Sequence, residues 1–362
     1  MTVSATTTTT RRVAVVGPCF GSASAAVARA LRLRPGCSLV AEHWYSEAAY
    51  ERPVGRVASR VLRTSCELLG LSNRTRERVE SVGLAWRLQR ARAAMDIVEQ
   101  VRSFGEVDVV VLIKPVFLQR ADVEQIRSIV GGAMVVIILW DALWRTPGIR
   151  DLVPLVDAVF TTEPTDCGGG IRLLPVPGAP PSPSTFPVAT DPVGPALFFC
   201  GAASVARVVN AIALKREADR QGVGSQLVLV ADNKLAARLI RSLGLAAEAL
   251  DADEYHRALS RCVVVVDLGR TGQSSPSERL ADAVLRTKPF LTANATFAGS
   301  SYPIVAVKRF RRAFLVDAVP QALAAGRDCS WVGSEEALRF VISPSEWAAT
   351  VIGEAMDVAA LS

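Results

Sequence analysis

The sequence predicts an α/β protein of two doubly wound domains with parallel sheets, and three observations predict it. Short, unbroken apolar runs alternate with longer stretches of helical spacing, and a run without polar alternation is a strand buried on both faces. The alternation occurs twice, interrupted by Pro175 to Pro195, which hold eight of the chain's twenty prolines. At 362 residues the chain is too long for one ordinary domain and suits two of roughly 150 to 200 residues each.

The elements follow in order. MTVSATTTTTRR has no apolar segment ahead of its arginines, so residues 1–11 read as a disordered leader and not as a secretory signal. Residues 12–178 form the first Rossmann-like domain, with strands expected at Val13 to Val16, Ser38 to Glu42, Val107 to Ile113, Met134 to Leu139 and Ala158 to Thr161. Arg-rich helices fill the gap after His43. Proline fixes φ and lacks an N–H, so residues 179–195 support neither helix nor ladder and read as a linker. Residues 196–343 form the second Rossmann-like domain, with strands at Ala196 to Cys200, Gln226 to Val230, Cys262 to Val266 and Phe290 to Thr292 and helices from Ser204, Asn233 and Ser277. Ser343 as N-cap and Pro344 at the first helical position start a terminal helix, residues 344–362, expected to pack back toward the first domain. Two such domains are expected to face each other across a cleft lined by the carboxyl ends of their strands.

Composition excludes several classes. Half of the residues are hydrophobic and 21% charged, which excludes a mainly disordered chain. The longest apolar run, Ala133 to Trp140, is far short of the ~20 residues that cross a bilayer. Cys19, Cys37, Cys66, Cys167, Cys200, Cys262 and Cys329 are odd in number and never spaced C-x-x-C, which argues against a disulfide framework or zinc site and for a cytoplasmic setting. His43 and His256 are the only histidines, and neither adjoins a G-x-S-x-G nucleophile motif, which disfavours hydrolase chemistry. Nucleic-acid motifs are absent, so no nucleic-acid partner is expected. The net charge of +6 rests on arginine, and residues 51–103 carry eleven Arg against six acids. Such a face either only solubilises or attracts a phosphorylated substrate or an anionic membrane, which places peripheral contact at the inner membrane face among the expectations.

Candidate chemistry gathers at strand ends. Gly17 and Gly21 flank the turn after the first strand; it is not G-x-G-x-x-G and Pro18 removes a donor, so acceptor contact competes with a plain tight turn. Trp140 and Asp141 follow a buried strand, and Asp141 is either a base for an attacking hydroxyl or an N-cap. Gly201 to Ser204, with Arg207 one turn on, repeat the strand-turn-helix arrangement; Ser204 either caps the helix or meets phosphate. A second buried strand delivers Asp267, followed by Gln273, Ser277, Arg279 and Asp282. Arg279 and Asp282, three apart on a helix, either serve a diphosphate and a sugar hydroxyl or form a surface ion pair. Asp251-Ala252-Asp253 has the form of a metal-diphosphate motif, yet no cluster completes a shell and Asp253 reads as an N-cap, so no metal is expected.

On these residues the sequence resembles the bacterial GT-B glycosyltransferase-like proteins of capsular-polysaccharide and lipopolysaccharide-core loci, related to the spore-maturation CgeB-like family. The resemblance runs through Trp140-Asp141, the phrase from Asp157 to Cys167, Leu174-Pro175-Val176-Pro177, Phe199-Cys200-Gly201-Ala202, Tyr255, Asp267, Gln273 to Asp282, and Lys288 to Asn294. Two departures stand out: Ser275-Pro276-Ser277 replaces Gly-Leu-Thr, and Asp282 replaces a glutamate. The resemblance implies a GT-B-like fold and metal-independent transfer of a sugar from a nucleotide-sugar donor to a glycan, lipid-linked or small-molecule acceptor. The nucleotide sugar is then a co-substrate, and no cofactor is tightly bound. Asp141 would be the base, with Gly17, Gly21 and Trp140 on the acceptor side. Gly201, Ser204, Arg207, Asp267, Gln273, Ser277, Arg279, Asp282 and Lys288 would hold the donor. A noncatalytic sugar-nucleotide-binding protein and a sugar-nucleotide epimerase on the same fold are the competing readings.

Overall fold

The structure, a computed structural model, describes residues 10–19, 22–46, 50, 84–141, 143, 146, 148–174, 176–177, 194–231, 234–248, 250–268, 278–286, 288–294, 297, 304–326, 341–342 and 344–359. The chain forms two units, Met1–Leu174 with Pro344–Ser362, and Pro175–Ser343.

In the first unit β1 (Arg11–Pro18), α1 (Ser22–Leu33), β2 (Cys37–Tyr45), α2 (Leu84–Ser103), β3 (Val109–Ile113), α3 (Arg120–Val130), β4 (Met134–Leu139), β5 (Ala158–Thr161) and β6 (Ile171–Leu173) follow one another. The six strands are all parallel, in the order β2-β1-β3-β4-β5-β6. The unbroken apolar runs of β3 and β4 bury every residue, because alternate side chains enter cores on opposite faces of the sheet. On one face Val110, Leu112, Val135 and Ile137 pack with Ile97 and Val101 of α2 and with Val123 and Ile126 of α3. Gly17 lies against the end of β3: a Cβ there would stand 2.8 Å from Ile113 Cβ, so the close approach requires glycine.

The second unit runs through β7 (Val176–Pro177), β8 (Leu197–Ala202), α4 (Val205–Arg220), β9 (Ser225–Val230), α5 (Lys234–Ser242), α6 (Ala252–Arg261), β10 (Val264–Asp267), α7 (Glu278–Leu285), β11 (Phe290–Thr292), β12 (Ile304–Ala306), α8 (Arg312–Ala325) and β13 (Val341–Ile342). Five parallel strands take the order β12-β11-β10-β8-β9, and β7 and β13 form a separate parallel pair. Phe199, Leu227, Leu229 and Val266 enter one core with α4 and α8, while Phe198, Val265 and Phe290 enter the other with α6 and α7. The terminal helix α9 (Pro344–Ala359) belongs to the first unit, where it packs on α1, β4 and β5 with Trp347 fully buried.

Both sheets therefore wind the same way: the second strand of each lies outside the first, and the third lies on the other side. The winding reverses between β1 and β3 and again between β8 and β10. At such a reversal the connections leave toward opposite faces and open a crevice at the carboxyl ends of the strands, the usual ligand position of this architecture.

Some elements depart from the sequence reading. Strand β2 runs to Tyr45, beyond the expected Glu42, because its parallel pairing with β1 continues to Pro18. The edge strands β6 and β12 carry too few apolar residues to announce themselves. Residues 1–9 of the leader, 51–83 of the Arg-rich stretch and 178–193 of the proline-rich segment lie outside the described residues. Among the described residues no helix is long and apolar enough to cross a membrane.

Candidate functional site

In the second unit β8 ends at Gly201-Ala202, and Ser204 caps α4, its hydroxyl accepting from the Arg207 backbone N–H at 3.3 Å. The first amides of α4 stay without intrahelical partners and carry the positive end of the helix dipole. Arg207 turns inward: its guanidinium donates to the Ala202 carbonyl at 3.1 Å and lies 5.7 Å from the centre of the Phe199 ring. It shapes the turn from behind.

Arg279, in the first turn of α7, reaches across the reversal between β8 and β10. Its Nε donates to the Cys200 carbonyl at 2.9 Å, its Nη1 stands 3.6 Å from Asp267 Oδ1, and its guanidinium lies 4.7 Å from the Phe199 ring centre. A Cβ on Gly201 would collide with Arg279 Nη2, so glycine leaves the room that the guanidinium occupies. The Asp267 side chain is 3% exposed and that of Arg279 is 18% exposed. Arg279 is thus anchored on two strand tips through Nε and Nη1, and among the described residues Nη2 makes no hydrogen bond. A planar guanidinium held in this way presents preset donors to an anion.

Asp282 takes other partners. It is 6% exposed, accepts from the Tyr255 hydroxyl at 2.8 Å through Oδ2, and pairs with Arg286 through Oδ1 at 3.2 Å. Arg286 in turn meets His256 Nδ1 at 3.0 Å. Burial pushes the Asp282 carboxyl above the ordinary aspartate value, against the opposing pull of Arg286 and Tyr255. Burial, with Arg286 adding to it, pushes His256 below the usual imidazole range. Arg279 and Asp282, neighbours by helical spacing, therefore pair with Asp267 and Arg286 and not with each other. Lys288 precedes β11 and donates to the Ser260 carbonyl at 3.0 Å, at the amino edge of the sheet, opposite the edge that carries Gly201 and Asp267. Gln273 and Ser277 lie outside the described residues. Asp251, not the expected Asp253, caps α6, because its carboxylate reaches the Glu254 amide while Glu254 returns to the Asp251 amide. Among the described residues no group of three His, Cys, Asp or Glu has the closeness a metal needs.

The first unit brings a second constellation to its carboxyl edge. Trp140 and Asp141 follow β4, and Asp141 Oδ2 stands 2.9 Å from Lys114 Nζ at the end of β3. Lys114 has φ +46, a left-handed conformation that costs a side-chain-bearing residue roughly 1 kcal/mol. Its amide donates to the Ile138 carbonyl at 2.7 Å, which fixes the turn that aims the side chain along the strand tips toward Asp141. On the next strand tip Glu163, 1% exposed, accepts from Thr165 at 3.0 Å. Gly17 is near these groups through β1, and Gly21 lies outside the described residues. Sequence reasoning passed over Lys114 and Glu163. A lysine directly after a five-residue apolar strand and before Pro115 was the available signal for the first.

Two parallel α/β units of like winding give the chain a two-domain Rossmann-like, GT-B-like fold. No family model matches the chain, and no curated protein does. Solved structures share the fold. S. aureus MnaA in complex with UDP is 10% identical with a TM-score of 0.56, over 96% of this chain and 97% of that one. A putative UDP-N-acetylglucosamine 2-epimerase from Listeria monocytogenes is 11% identical with a TM-score of 0.53, over 94% of each chain. An α-glucosyltransferase in complex with UDP and a 13-mer DNA is 11% identical with a TM-score of 0.51, over 96% of this chain and 99% of that one.

Proposed function

We propose that the second unit binds a nucleotide sugar and that the protein is a glycosyltransferase. The observation that carries this reading is Arg279, anchored at the crevice between β8 and β10 with Nη2 unspent beside Gly201, where β8 leads toward α4. Departure of a nucleoside diphosphate places new charge on a phosphate oxygen, and fixed cations and amides lower the energy of that charge without having to reorganise. Arg279 and the Gly201 to Ser204 amides take this role, Asp267 holds Arg279, and Arg207 holds the Ala202 turn. Gln273 and Ser277, in the stretch of sequence ahead of α7, are assigned to the donor side by the resemblance alone. Asp282 acts as a positioning residue through Tyr255 and Arg286.

Acceptor chemistry falls to the first unit. Asp141 accepts the proton of the attacking hydroxyl as the bond from the sugar's anomeric carbon to the diphosphate oxygen breaks, and Lys114 fixes the carboxylate in place. Trp140 lines the acceptor side. The acceptor is a glycan, lipid-linked or small-molecule hydroxyl, which agrees with the resemblance to proteins of polysaccharide loci. Neighbours of the same fold bear on the donor: two of them are described in complex with UDP. Calorimetric titration with UDP, GDP, CDP and their sugars tests the binding step. Absence of heat for every nucleotide would remove the reading, and release of nucleoside diphosphate that requires an added acceptor would establish transfer.

Epimerisation is the second reading, favoured by Glu163 on the strand tip next to Asp141. Inverting a carbon requires one group to remove a proton and another to return one, and two neighbouring carboxylates supply both. A donor sugar that takes up deuterium from heavy water without any acceptor would replace transfer by epimerisation. Nucleotide binding with neither reaction would leave a noncatalytic sensor.

A further inference from the structure

The chain leaves β12 through Val307-Lys308-Arg309-Phe310-Arg311-Arg312 and enters α8, a stretch the nucleotide reading does not use. Val307, Phe310 and Leu315 are buried in the core under the sheet, so the backbone is fixed at three points. Between these anchors Lys308, Arg309, Arg311 and Arg312 are all exposed. Lys308, Arg309 and Arg311 form no ion pair or side-chain hydrogen bond among the described residues, and Arg312 approaches Glu217 only at 3.9 Å. The first turn of α8 contains no acid, and no carboxylate occurs from Lys308 to Val316.

Exposed apolar side chains accompany the cations. Phe314 is 38% and Val316 45% exposed, one turn along from Arg311 and Arg312 respectively. The helix does not need them: Leu315, Ala318, Val319, Ala322 and Ala325 already hold it to the sheet. Cations with apolar neighbours on one rigid segment match a surface that is anionic outside and apolar just beneath. Charge is attracted to the headgroups while a phenyl ring enters the acyl boundary. A nucleic acid would use the cations and could stack on Phe314, but it offers Val316 nothing.

We infer that the segment Lys308–Val316 is a docking surface for an anionic lipid membrane. This surface lies on the second unit, involves none of the residues of the Arg-rich stretch 51–103, and stands whether or not the protein transfers sugars. The full chain is to be sedimented with vesicles of phosphatidylcholine alone and of phosphatidylcholine mixed with phosphatidylglycerol. Uptake is expected only on the mixed vesicles, falling as salt is raised. Each cation contributes about fivefold, so Lys308→Ala/Arg309→Ala/Arg311→Ala together weaken uptake roughly a hundredfold. Phe314→Ser, which keeps the charge, weakens it about tenfold. Lys308, Arg309 and Arg311 form no ion pair or side-chain hydrogen bond among the described residues, and circular dichroism with the unfolding midpoint of each variant, Phe314→Ser included, checks that it is intact. Removing three other exposed arginines of the same unit, Arg216, Arg238 and Arg257, is the matched control and is expected to change uptake far less. Equal loss in that control, no uptake on anionic vesicles, or retention by single-stranded DNA in place of vesicles would each overturn the assignment.

Discussion

Gly201→Ala tests the donor site most directly, because the two atoms in conflict are known. The added methyl collides with Arg279 Nη2 and comes 3.0 Å from Phe199 Cζ. The ring is fully buried, so the guanidinium has to yield. On turning away it abandons the 2.9 Å bond to the Cys200 carbonyl and its place 4.7 Å from the Phe199 centre. One hydrogen bond and one cation–π contact together amount to about 1–2 kcal/mol, a Tm lower by roughly 2–8 °C for a unit of this size. Binding suffers separately: the anion loses a preset charge-assisted donor, worth about 1.5–3 kcal/mol, or roughly a 10- to 100-fold weaker Kd. Calorimetry with whichever of UDP, GDP or CDP binds most tightly measures the loss, and scanning calorimetry measures the Tm. If Arg279 mediates the effect, Gly201→Ala adds little in an Arg279→Ala background. Full additivity, or wild-type affinity in a folded Gly201→Ala protein, would refute the role given to this pair.

Three further expectations rest on other parts of the molecule. At Lys114 the left-handed backbone makes Lys114→Gly more stable than Lys114→Ala by about 1 kcal/mol in urea unfolding, although both lose the bond to Asp141; equal stability would show that the turn relaxes. Trp347→Ala, which opens a cavity under α9, costs about 3–5 kcal/mol, whereas Trp347→Phe costs far less because the buried indole N–H has no hydrogen-bond partner among the described residues; similar losses for the two would contradict this. The hydrogen bond from Gln221, and then the Arg220 guanidinium, hold the Glu217 carboxyl below its ordinary 4.5. A depressed carboxyl stabilises above its ordinary value and loses that contribution as pH falls through the folded-state value. Tm measured against pH is therefore steeper on the acid side for the wild type than for Glu217→Gln, and the extra slope ends once pH has fallen below the folded-state value; parallel curves would remove Glu217 from the acid response.

The sequence by itself determined the two sheets. Runs such as Val109 to Ile113 and Met134 to Leu139 can only be strands covered on both sides, and this follows from side-chain alternation within a few residues. Strand tips were legible for the same reason, so Asp141, Gly201 and Asp267 could be singled out, and helical spacing added Arg279. Partner choice could not be read in that way. Helical spacing put Arg279 beside Asp282, yet the folded chain joins Arg279 to Asp267 and Cys200, while Asp282 turns inward to Tyr255 and Arg286. Lys114 met Asp141 only because β3 and β4 are neighbours in register. Periodicity is a property of adjacent residues and survives in a linear reading. A charge, by contrast, selects its partner by distance and burial, and the tertiary structure alone sets both.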